Sequence, residues 1–464
     1  MKHETFVFRS RFPFPAETVF SWHERPGAFE RLTPPWERVQ IVSRTGGIRD
    51  GGRVSLRVKI GPFRRIWIVE HRDYIQGRQF CDVQTAGPFR YWKHIHRVEP
   101  EGSGACVLED HIEYSPPCGE LGTFLGGRII QNKLTRMFAY RHSVTLADLK
   151  AHERFQDRAK KKILLSGATG LIGSGASAFL ETGGHCVTRL VRRQDQLTGN
   201  AVLLPAPTEP EELSGLEGFD AVVHLAGENI TGRWTDAKKQ KIRDSRVLGT
   251  GRLCQALAKL DSPPRTLVCA SAIGFYGDRS DEILDEKSRR GEGFLAEVCQ
   301  QWEQAADAAA QAGVRVVNLR ISVVLTSAGG ALAQMLTPFR MGFGGRIGDG
   351  KQYMSWISYD DVLSAIQHAL ETDDLEGPVN AASPNPVTND VFTRILGEAL
   401  HRPAAIPAPA FAIRSLLGEM GEALLLSSAR VMPRRLMDAG FTFRHANLQD
   451  ALNHVLGIKR GDES

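Results

Sequence analysis

The fold is decided by the stretch Ile163-Leu164-Leu165-Ser166-Gly167-Ala168-Thr169-Gly170-Leu171-Ile172-Gly173. An apolar run ends in three glycines at G-x-x-G-x-x-G spacing, and a helical pattern follows. Such glycines allow a sharp turn, a close approach of backbone to phosphate oxygens, and packing of the helix against its strand. The stretch therefore predicts a βαβ unit that holds a dinucleotide pyrophosphate at a helix amino terminus, and the alternative is a tight turn without a ligand. The predicted cofactor contacts here are Gly167, Thr169, Gly170, Leu171, Ile172 and Gly173.

Strand and helix patterns alternate after this motif, which is typical of a parallel sheet. Strands are predicted at 163–167, 185–191, 219–225, 265–271 and 314–320. Helices are predicted at 171–182, 235–260, 293–312 and 359–371. We expect an α/β domain over 160–383 with a Rossmann-like, doubly wound parallel sheet. The proline-interrupted, mostly helical segment 384–464 is expected to cap that sheet.

Residues 1–155 differ in composition from the rest of the chain and contain eight of the 14 histidines and four of the seven tryptophans. Alternating apolar and polar residues predict strands at 54–60, 64–74, 78–86, 89–98 and 105–114. The pattern becomes helical from 121 to 155. We expect a separate α+β domain, with an antiparallel sheet of about six strands closed by a long helix, and a cavity between them.

Composition excludes several classes of protein. The formal net charge is only +5 over 464 residues and the basic residues are scattered, so no nucleic-acid partner is expected. No apolar run reaches about 18 residues, so no membrane insertion is expected. The seven cysteines show no C-x-x-C spacing and are expected to be reduced thiols of a cytoplasmic protein. The sequence does not determine the oligomeric state.

The end of the second predicted strand bears on cofactor choice. A carboxylate there would bind the ribose hydroxyls of NAD, whereas this chain has Val191-Arg192-Arg193. A guanidinium suits a 2′-phosphate through two parallel hydrogen bonds. We therefore predict NADP(H), with Arg192 as its ligand, while Asp195 keeps NAD possible.

The predicted strand at 219–225 ends in His224-Leu225, and the small residues Ala226-Gly227 follow. A cofactor can lie across the carboxyl edge of a sheet at such a point. Leu225, Ala226 and Gly227 are expected to border the adenosine. Arg246 lies on the following predicted helix.

These stretches resemble the atypical "epimerase family" branch of the extended short-chain dehydrogenases/reductases, over about 163–455. The resemblance implies NADPH as cofactor, with Arg192, Leu225, Ala226 and Arg246 in contact with it. It rests on the stretches Gly167 to Gly173, His224 to Ile230, Ser245 to Thr250, Ser271 to Gly277, Gly344 to Asp361, and Ile406 to Leu456.

The proton relay usual in that superfamily, Ser with Tyr-x-x-x-Lys, is missing. Phe294 and Val298 occupy the Tyr and Lys positions, and Ala272 occupies the Ser position. Ser271 and Tyr276 are the nearest hydroxyls, and we predict them as acid/base or substrate-orienting groups. The alternative is that Ser271 satisfies strand-end backbone and Tyr276 walls the pocket.

A second departure concerns the substrate. Sugar-nucleotide epimerases carry an arginine that clamps the substrate diphosphate in the stretch resembling 348–356, and Met354 stands there in this chain. A thioether cannot replace a guanidinium. Arg346 or Lys351 would have to compensate, or the small-molecule substrate is partly apolar.

The first domain resembles the START-like superfamily (polyketide cyclase/dehydrase, SRPBCC) of helix-grip folds, over about 4–150. The resemblance rests on strand order, the long last helix, and stretches such as Phe20-Ser21-Trp22-His23 and Pro34-Pro35-Trp36. It implies a hydrophobic ligand. His94 and His96 alternate onto one strand face, but without Cys, Asp or Glu at matching spacing we predict no metal, even with His71 or His111 nearby.

Three functions remain open from the sequence. The first is an NADPH-dependent oxidoreductase of the epimerase/dehydratase type whose START-like domain binds a hydrophobic ligand. The second is a non-catalytic NADPH-binding sensor or regulatory protein, in line with relatives linked to division, and the missing Tyr and Lys favour it. The third, a START-like cyclase or lipid carrier with a vestigial Rossmann domain, fits least well because the glycine loop and Arg192 are intact.

Overall fold

The computed structural model describes residues 3–61, 63–117, 119–197, 199–204 and 210–458, with side chains described outside 119–126 and 210–212. Its internal contacts divide the chain into two units. The first contains Met1–Gln156, Glu181–Gly184 and Leu456–Ser464, and the second contains Asp157–Leu180 and His185–Val455. Among the described residues, no helix combines the length and apolar character that crossing a membrane requires.

The first unit is an antiparallel sheet with a long helix. Its strands lie in the order β1-β7-β6-β5-β4-β3-β2, so neighbours in sequence are mostly neighbours in the sheet. The elements are β1 (Glu4–Phe12), α1 (Ala16–Glu24), α2 (Ala28–Leu32), β2 (Val39–Thr45), β3 (Arg53–Ile60), β4 (Phe63–Ile75), β5 (Gln79–Ala86), β6 (Tyr91–Glu101), β7 (Ala105–Ser115) and α3 (Gly119–Glu153).

The core of this unit lies between the sheet and the long helix. Leu134 and Phe138 of α3 pack with Phe6 of β1 and Ile112 of β7, all of them buried. Burying apolar surface of this kind is the main force that holds a helix on a sheet. The predicted α+β helix-grip architecture is confirmed, with seven strands instead of about six.

The second unit contains a parallel sheet with the order β10-β9-β8-β11-β12-β14-β18. The order reverses between β8 and β11, which makes the carboxyl edge of these two strands the switch point where open α/β sheets bind ligands. From residue 157 onward the elements are β8 (Lys162–Ser166), α4 (Leu171–Thr182), β9 (Cys186–Val191), β10 (Ala201–Leu203), β11 (Ala221–His224), α5 (Asp236–Leu257), β12 (Thr266–Ala272), β13 (Ile283–Leu284), α6 (Phe294–Gln304), α7 (Asp307–Gln311), β14 (Arg315–Ile321), β15 (Val323–Leu325), α8 (Gly330–Arg340), β16 (Tyr353–Met354), β17 (Trp356–Ser358), α9 (Tyr359–Glu371), β18 (Gly377–Ala381), β19 (Val387–Thr388), α10 (Asn389–Leu400), α11 (Ala410–Gly421), β20 (Arg430–Val431), α12 (Arg434–Asp438) and α13 (Leu448–Leu456).

The predicted α/β class with a Rossmann-like sheet is confirmed, with two differences of detail. The sheet has two outer strands that were not predicted, β10 and β18; the first is only three residues long and the second contains Gly377 and Pro378, which weaken a strand pattern. The helix predicted at 293–312 is two helices, α6 and α7, separated at 305–306. The carboxyl-terminal segment is mostly helical, as predicted, and its strand β20 pairs with β13.

Candidate functional site

The glycine loop between β8 and α4 leaves no room for a side chain at Gly167 or Gly173. Gly167 has φ +73°, and a Cβ there would lie 2.7 Å from the carbonyl carbon of Leu225. A Cβ on Gly173 would lie 2.1 Å from the carbonyl oxygen of Gly167, while the Gly170 amide donates to that same oxygen at 2.9 Å. The loop thus lies directly against the end of β11, where a pyrophosphate can approach backbone N–H groups at the start of α4.

The other predicted residues of the loop are at its rim. Thr169 is exposed, and Leu171 and Ile172 are half-buried in the first turn of α4. The hydroxyl of Tyr359, on α9, donates to the Leu171 carbonyl at 3.1 Å and fixes that turn. The first turn of α4 is therefore anchored to α9 by a side-chain hydrogen bond.

A buried polar chain under the loop joins two strands and two helices. His224, the last residue of β11, places Nδ1 2.6 Å from Ser166 Oγ and Nε2 3.0 Å from Thr250 Oγ1. Trp302 Nε1 donates to the same Thr250 oxygen at 2.9 Å. Burial, assisted by the charge of Arg192, lowers the pKa of His224 to about 4, so this imidazole is neutral. In the sequence, His224 is distinguished only as a polar residue at the end of an apolar strand.

The two arginines that follow β9 differ in their partners. Arg193 pairs with Asp195 through two contacts, Nε to Oδ1 at 3.0 Å and Nη2 to Oδ2 at 2.7 Å. Arg192 is exposed and makes no hydrogen bond to another described residue. The carboxylate that kept NAD possible is therefore occupied by Arg193, and Arg192 is the guanidinium left for a phosphate.

Arg246 lies against the loop that follows β11. Its Nη1 donates to the carbonyls of Glu228 at 3.0 Å and Ile242 at 3.2 Å, and its Cζ lies 5.0 Å from the centre of the Trp302 ring. A Cβ on Gly227 would lie 3.3 Å from that Cζ. Burial lowers the pKa of Arg246. The structure thus brings Arg246 and Gly227 together, while Leu225 and the Ala226 amide lie against Gly167.

Ser271 and Tyr276 are anchored in one buried network. Ser271 Oγ donates to Glu303 Oε1 at 2.7 Å, and Glu303 is held by Arg320 Nε and Nη2, each at 2.8 Å. Arg320 Nη1 donates to the Tyr276 hydroxyl at 3.0 Å, and that hydroxyl donates to Asn380 Oδ1 at 2.8 Å or to a backbone carbonyl at 2.9 Å. Sequence reasoning missed Glu303, Arg320 and Asn380.

Tyr276 is poorly suited to release a proton. Its side chain is fully buried, and burial raises its pKa to about 12 despite the nearby Arg320. Ser271 is buried as well. The acid/base role of both residues stays a prediction. The alternative for Ser271, a bond to strand-end backbone, differs from the structure, because its partner is the Glu303 side chain.

Apolar side chains occupy the positions of the missing relay, and Lys239 Nζ lies 5.3 Å from the centre of the Phe294 ring. Phe294 packs edge-on against Trp234, with ring centres 5.3 Å apart, and Val298 is buried. Cys299, on the next position of α6, is buried, and burial raises the pKa of its thiol to about 12. These three positions of α6 therefore offer no group that exchanges protons near neutral pH.

Met354 is fixed by a neighbour and carries no charge. Its Sδ accepts a hydrogen bond from Asn389 Nδ2 at 3.3 Å. Arg346 and Lys351 are exposed. Arg346 lines an open cavity of about 750 Å³ together with Arg394, Arg402, Asp390 and Glu398, and Glu398 pairs with Arg394. Basic side chains outnumber acidic ones in this lining, so Arg346 stays a candidate for the compensating cation.

Comparisons with known proteins identify three segments. Residues 163–382 match the NAD dependent epimerase/dehydratase family, residues 12–139 match the polyketide cyclase/dehydrase and lipid transport family, and residues 408–455 match a domain of unknown function. The chain is 42% identical over 309 residues to Epimerase family protein Mb2239 of Mycobacterium bovis, covering 64% of this chain and 98% of that protein.

Two solved structures are similar as well. The nucleoside-diphosphate sugar epimerase from Corynebacterium glutamicum is 33% identical, with a TM-score of 0.81 over 98% of this chain and 91% of that one. Human epimerase family protein SDR39U1, solved with NADPH, is 32% identical, with a TM-score of 0.58 over 63% of this chain and 98% of that one.

Proposed function

Because this chain belongs to the NAD-dependent epimerase/dehydratase family, we propose that it is an NADPH-dependent oxidoreductase acting on a small, partly apolar substrate. The observation that carries the proposal is the glycine loop packed against Leu225, with the free guanidinium of Arg192 at the end of the neighbouring strand β9. The human relative with NADPH in its structure supports this choice of cofactor.

Different residues of this chain would bind different parts of the cofactor. The loop amides and the start of α4 would hold the pyrophosphate. Arg192 would bind the 2′-phosphate, Leu225, Ala226 and Gly227 would border the adenosine, and Arg246 would contact the cofactor. When bound, NADPH supplies a hydride. Ser271 and Tyr276 keep the end of β12 and the following turn in place through Glu303 and Arg320.

The cofactor proposal is tested by titrating NADPH and NADH into the full chain and following nicotinamide fluorescence. A charge-assisted hydrogen bond contributes about 1.5–3 kcal/mol, which corresponds to about ten- to hundredfold in affinity. Arg192→Ala should therefore weaken NADPH binding about tenfold, the low end because Arg192 is exposed, and leave NADH binding unchanged. Arg193→Ala is the matched control and should change neither by more than about threefold, because Arg193 pairs with Asp195.

Tighter binding of NADH than NADPH by the unaltered chain would overturn the cofactor choice. Equal weakening of both coenzymes by Arg192→Ala would remove this residue from the phosphate site. If the unaltered chain binds neither coenzyme, the whole proposal is wrong.

Turnover is tested by adding carbonyl and enone compounds to the NADPH-loaded chain and following loss of the reduced nicotinamide band. UDP-glucose forms a separate arm, because the similar Corynebacterium protein is described as a nucleoside-diphosphate sugar epimerase. This arm contains NADP⁺ in place of NADPH and is analysed by chromatography for an epimer of UDP-glucose, because epimerisation leaves the coenzyme unchanged overall. We expect oxidation of NADPH by apolar carbonyl compounds and no epimer of UDP-glucose, since Met354 stands where a cation would clamp a diphosphate.

The second candidate function is an NADPH-binding sensor without turnover. The observation that favours it is the apolar character of α6 at Phe294 and Val298, together with the full burial of Tyr276. If NADPH binds tightly but none of the tested compounds is converted, this candidate is favoured over the oxidoreductase.

We also propose that the first unit binds a hydrophobic ligand. Its match to a family of cyclases and lipid-transport proteins supports this, as does a core rich in aromatic side chains such as Phe6, Trp92 and Phe138. Extraction of the purified chain with organic solvent followed by mass spectrometry should release a stoichiometric apolar compound. Release of none from freshly purified, folded chain would count against it.

A further inference from the structure

The sheet of the first unit carries histidines and carboxylates on one buried face. Register places Asp82 of β5 opposite His94 of β6 and opposite His71 of β4, and it places Asp110 of β7 opposite His96 of β6. Residues at such positions project to the same face and touch. The four residues apart from Asp82 are less than 9% exposed.

Three of these side chains converge on one point. Asp82 Oδ2 lies 3.3 Å from His96 Nε2 and 3.7 Å from His94 Nδ1, and the three ligand atoms all lie within 4.8 Å of one another. Zinc-like ions bind histidine nitrogen and carboxylate oxygen at about 2.1 Å, which puts neighbouring ligands of a tetrahedral site about 3.4 Å apart. The two distances from Asp82 Oδ2 to the histidine nitrogens are close to this value.

The far side of both imidazoles is fixed by a second carboxylate. Asp110 Oδ1 lies 2.8 Å from His94 Nε2 and 2.7 Å from His96 Nδ1. If each ring donates an N–H to Asp110, its other nitrogen faces Asp82 Oδ2 as a possible ligand atom. Histidines that bind metals are typically held in this way by a carboxylate. His142 Nε2, on α3, contacts the other oxygen of Asp110 at 2.5 Å.

The second oxygen of Asp82 has a partner of its own. Asp82 Oδ1 lies 2.7 Å from His71 Nδ1, on the neighbouring strand β4. His71 thus orients the Asp82 carboxylate through Oδ1, and Oδ2 is the oxygen that faces His94 and His96.

We propose that Asp82, His94 and His96 bind one divalent transition-metal ion, with Asp110 orienting the two histidines. Two imidazoles and one carboxylate suit zinc, cobalt or iron and disfavour magnesium and calcium, which prefer oxygen ligands. Three protein ligands leave at least one position open for water or a ligand of the domain. The site goes beyond the cofactor function of the second unit and does not depend on it. It differs from the sequence analysis, which predicted no metal, because Asp82 and Asp110 join the histidines only through strand pairing.

The other Asp/His group in the described part of the chain differs in its charge. Asp360 lies 2.8 Å from His454 Nε2, but Arg444 Nη1 also lies 3.2 Å from this carboxylate. A guanidinium already supplies the positive charge there, so the proposal is limited to the group in the first unit.

The test uses the full chain, purified without chelator and analysed for metals by mass spectrometry, then stripped and titrated with Zn²⁺ and Co²⁺. We expect near-stoichiometric metal after purification, one equivalent of Zn²⁺ taken up after stripping, a rise in melting temperature with Zn²⁺, and visible Co²⁺ absorption typical of nitrogen and oxygen ligands. Asp82→Asn and His94→Gln should each weaken Zn²⁺ binding at least tenfold, and Asp110→Asn about ten- to hundredfold.

The matched control is His111→Gln. His111 lies on β7 next to Asp110 but is 26% exposed and points away from the group, at 3.7 Å from Glu113. It should leave Zn²⁺ affinity unchanged. The proposal is overturned if the stripped, unaltered chain takes up no Zn²⁺ or Co²⁺, or if Asp82→Asn and His94→Gln bind as tightly as the control. The unaltered chain alone decides the matter if a variant fails to fold, and circular dichroism reports folding independently of NADPH.

Discussion

His224 should make the stability of the second unit fall as the solution becomes acidic. The side chain is buried between Ser166 and Thr250, and burial lowers its pKa from 6.5 to about 4. In the unfolded chain the imidazole takes up a proton near pH 6.5, whereas in the folded chain it stays neutral until about pH 4. Between these values the unfolded state binds more protons, so stability rises with pH and is lost as pH falls.

The size of the effect follows from the two pKa values. One pKa unit corresponds to about 1.4 kcal/mol, so the free energy of unfolding should fall by about 3 kcal/mol between pH 7 and pH 4 on account of His224. His224→Gln keeps polar atoms at the position but cannot titrate. The stability difference between the unaltered chain and this variant should therefore shrink by about 3 kcal/mol on acidification, whatever the substitution costs at neutral pH.

Differential scanning calorimetry of both chains at steps from pH 8 to pH 4.5 measures this difference. Down to pH 4.5 it should shrink by about 2.5 kcal/mol, which corresponds to about 5 °C in the transition that the substitution moves. The difference between the chains should be constant above pH 7, which serves as the internal control. A difference that is equally constant from pH 7 down to 4.5 would refute the claim that His224 is neutral and buried in the folded chain.

Two further substitutions test the site. Gly173→Ala should weaken NADPH binding at least tenfold in fluorescence titration, because its Cβ would collide with the glycine loop. The same collision should lower the free energy of unfolding by about 1–3 kcal/mol in calorimetry. Gly251→Ala is the control: a Cβ there would have no other atom within 4 Å, so stability should be unchanged or slightly higher. Glu303→Ala should cost about 3–5 kcal/mol in the same calorimetric assay, because it leaves Arg320 buried without its carboxylate. Glu297→Ala, on the same helix but 53% exposed, should change stability by less than about 0.5 kcal/mol, and equal effects of the two would contradict the network.

Local patterns were enough to predict the elements that face both solvent and core. The helices at 171–182 and 359–371 have the bounds expected from their periodicity, and the glycine loop lies where its spacing indicated. Both family resemblances, to the epimerase family and to the START-like superfamily, are confirmed. These features depend on residues close together in sequence, so one chain is sufficient to recognise them.

Features that depend on pairing between distant segments could not be predicted. Asp82 and Asp110 read as ordinary strand residues, and only the register of β5, β6 and β7 places them against His94 and His96. Likewise nothing near Glu303 in the sequence indicates that it meets Arg320. Polar residues inside strands and helices are ambiguous in sequence, because burial and partner are set by tertiary structure.

The network around Ser271 explains why hydroxyls near an expected relay position need not serve it. A proton donor near neutral pH must be reachable by the substrate and must have a pKa within a few units of that pH. The hydroxyl of Tyr276 fulfils neither condition, since it is fully buried, has a pKa of about 12, and already bonds Arg320 and Asn380. Ser271 has its proton directed at Glu303. If the chain turns over a substrate, the proton must therefore come from solvent or from a group other than these two hydroxyls, so the rate of NADPH oxidation should persist in a Tyr276→Phe variant that folds.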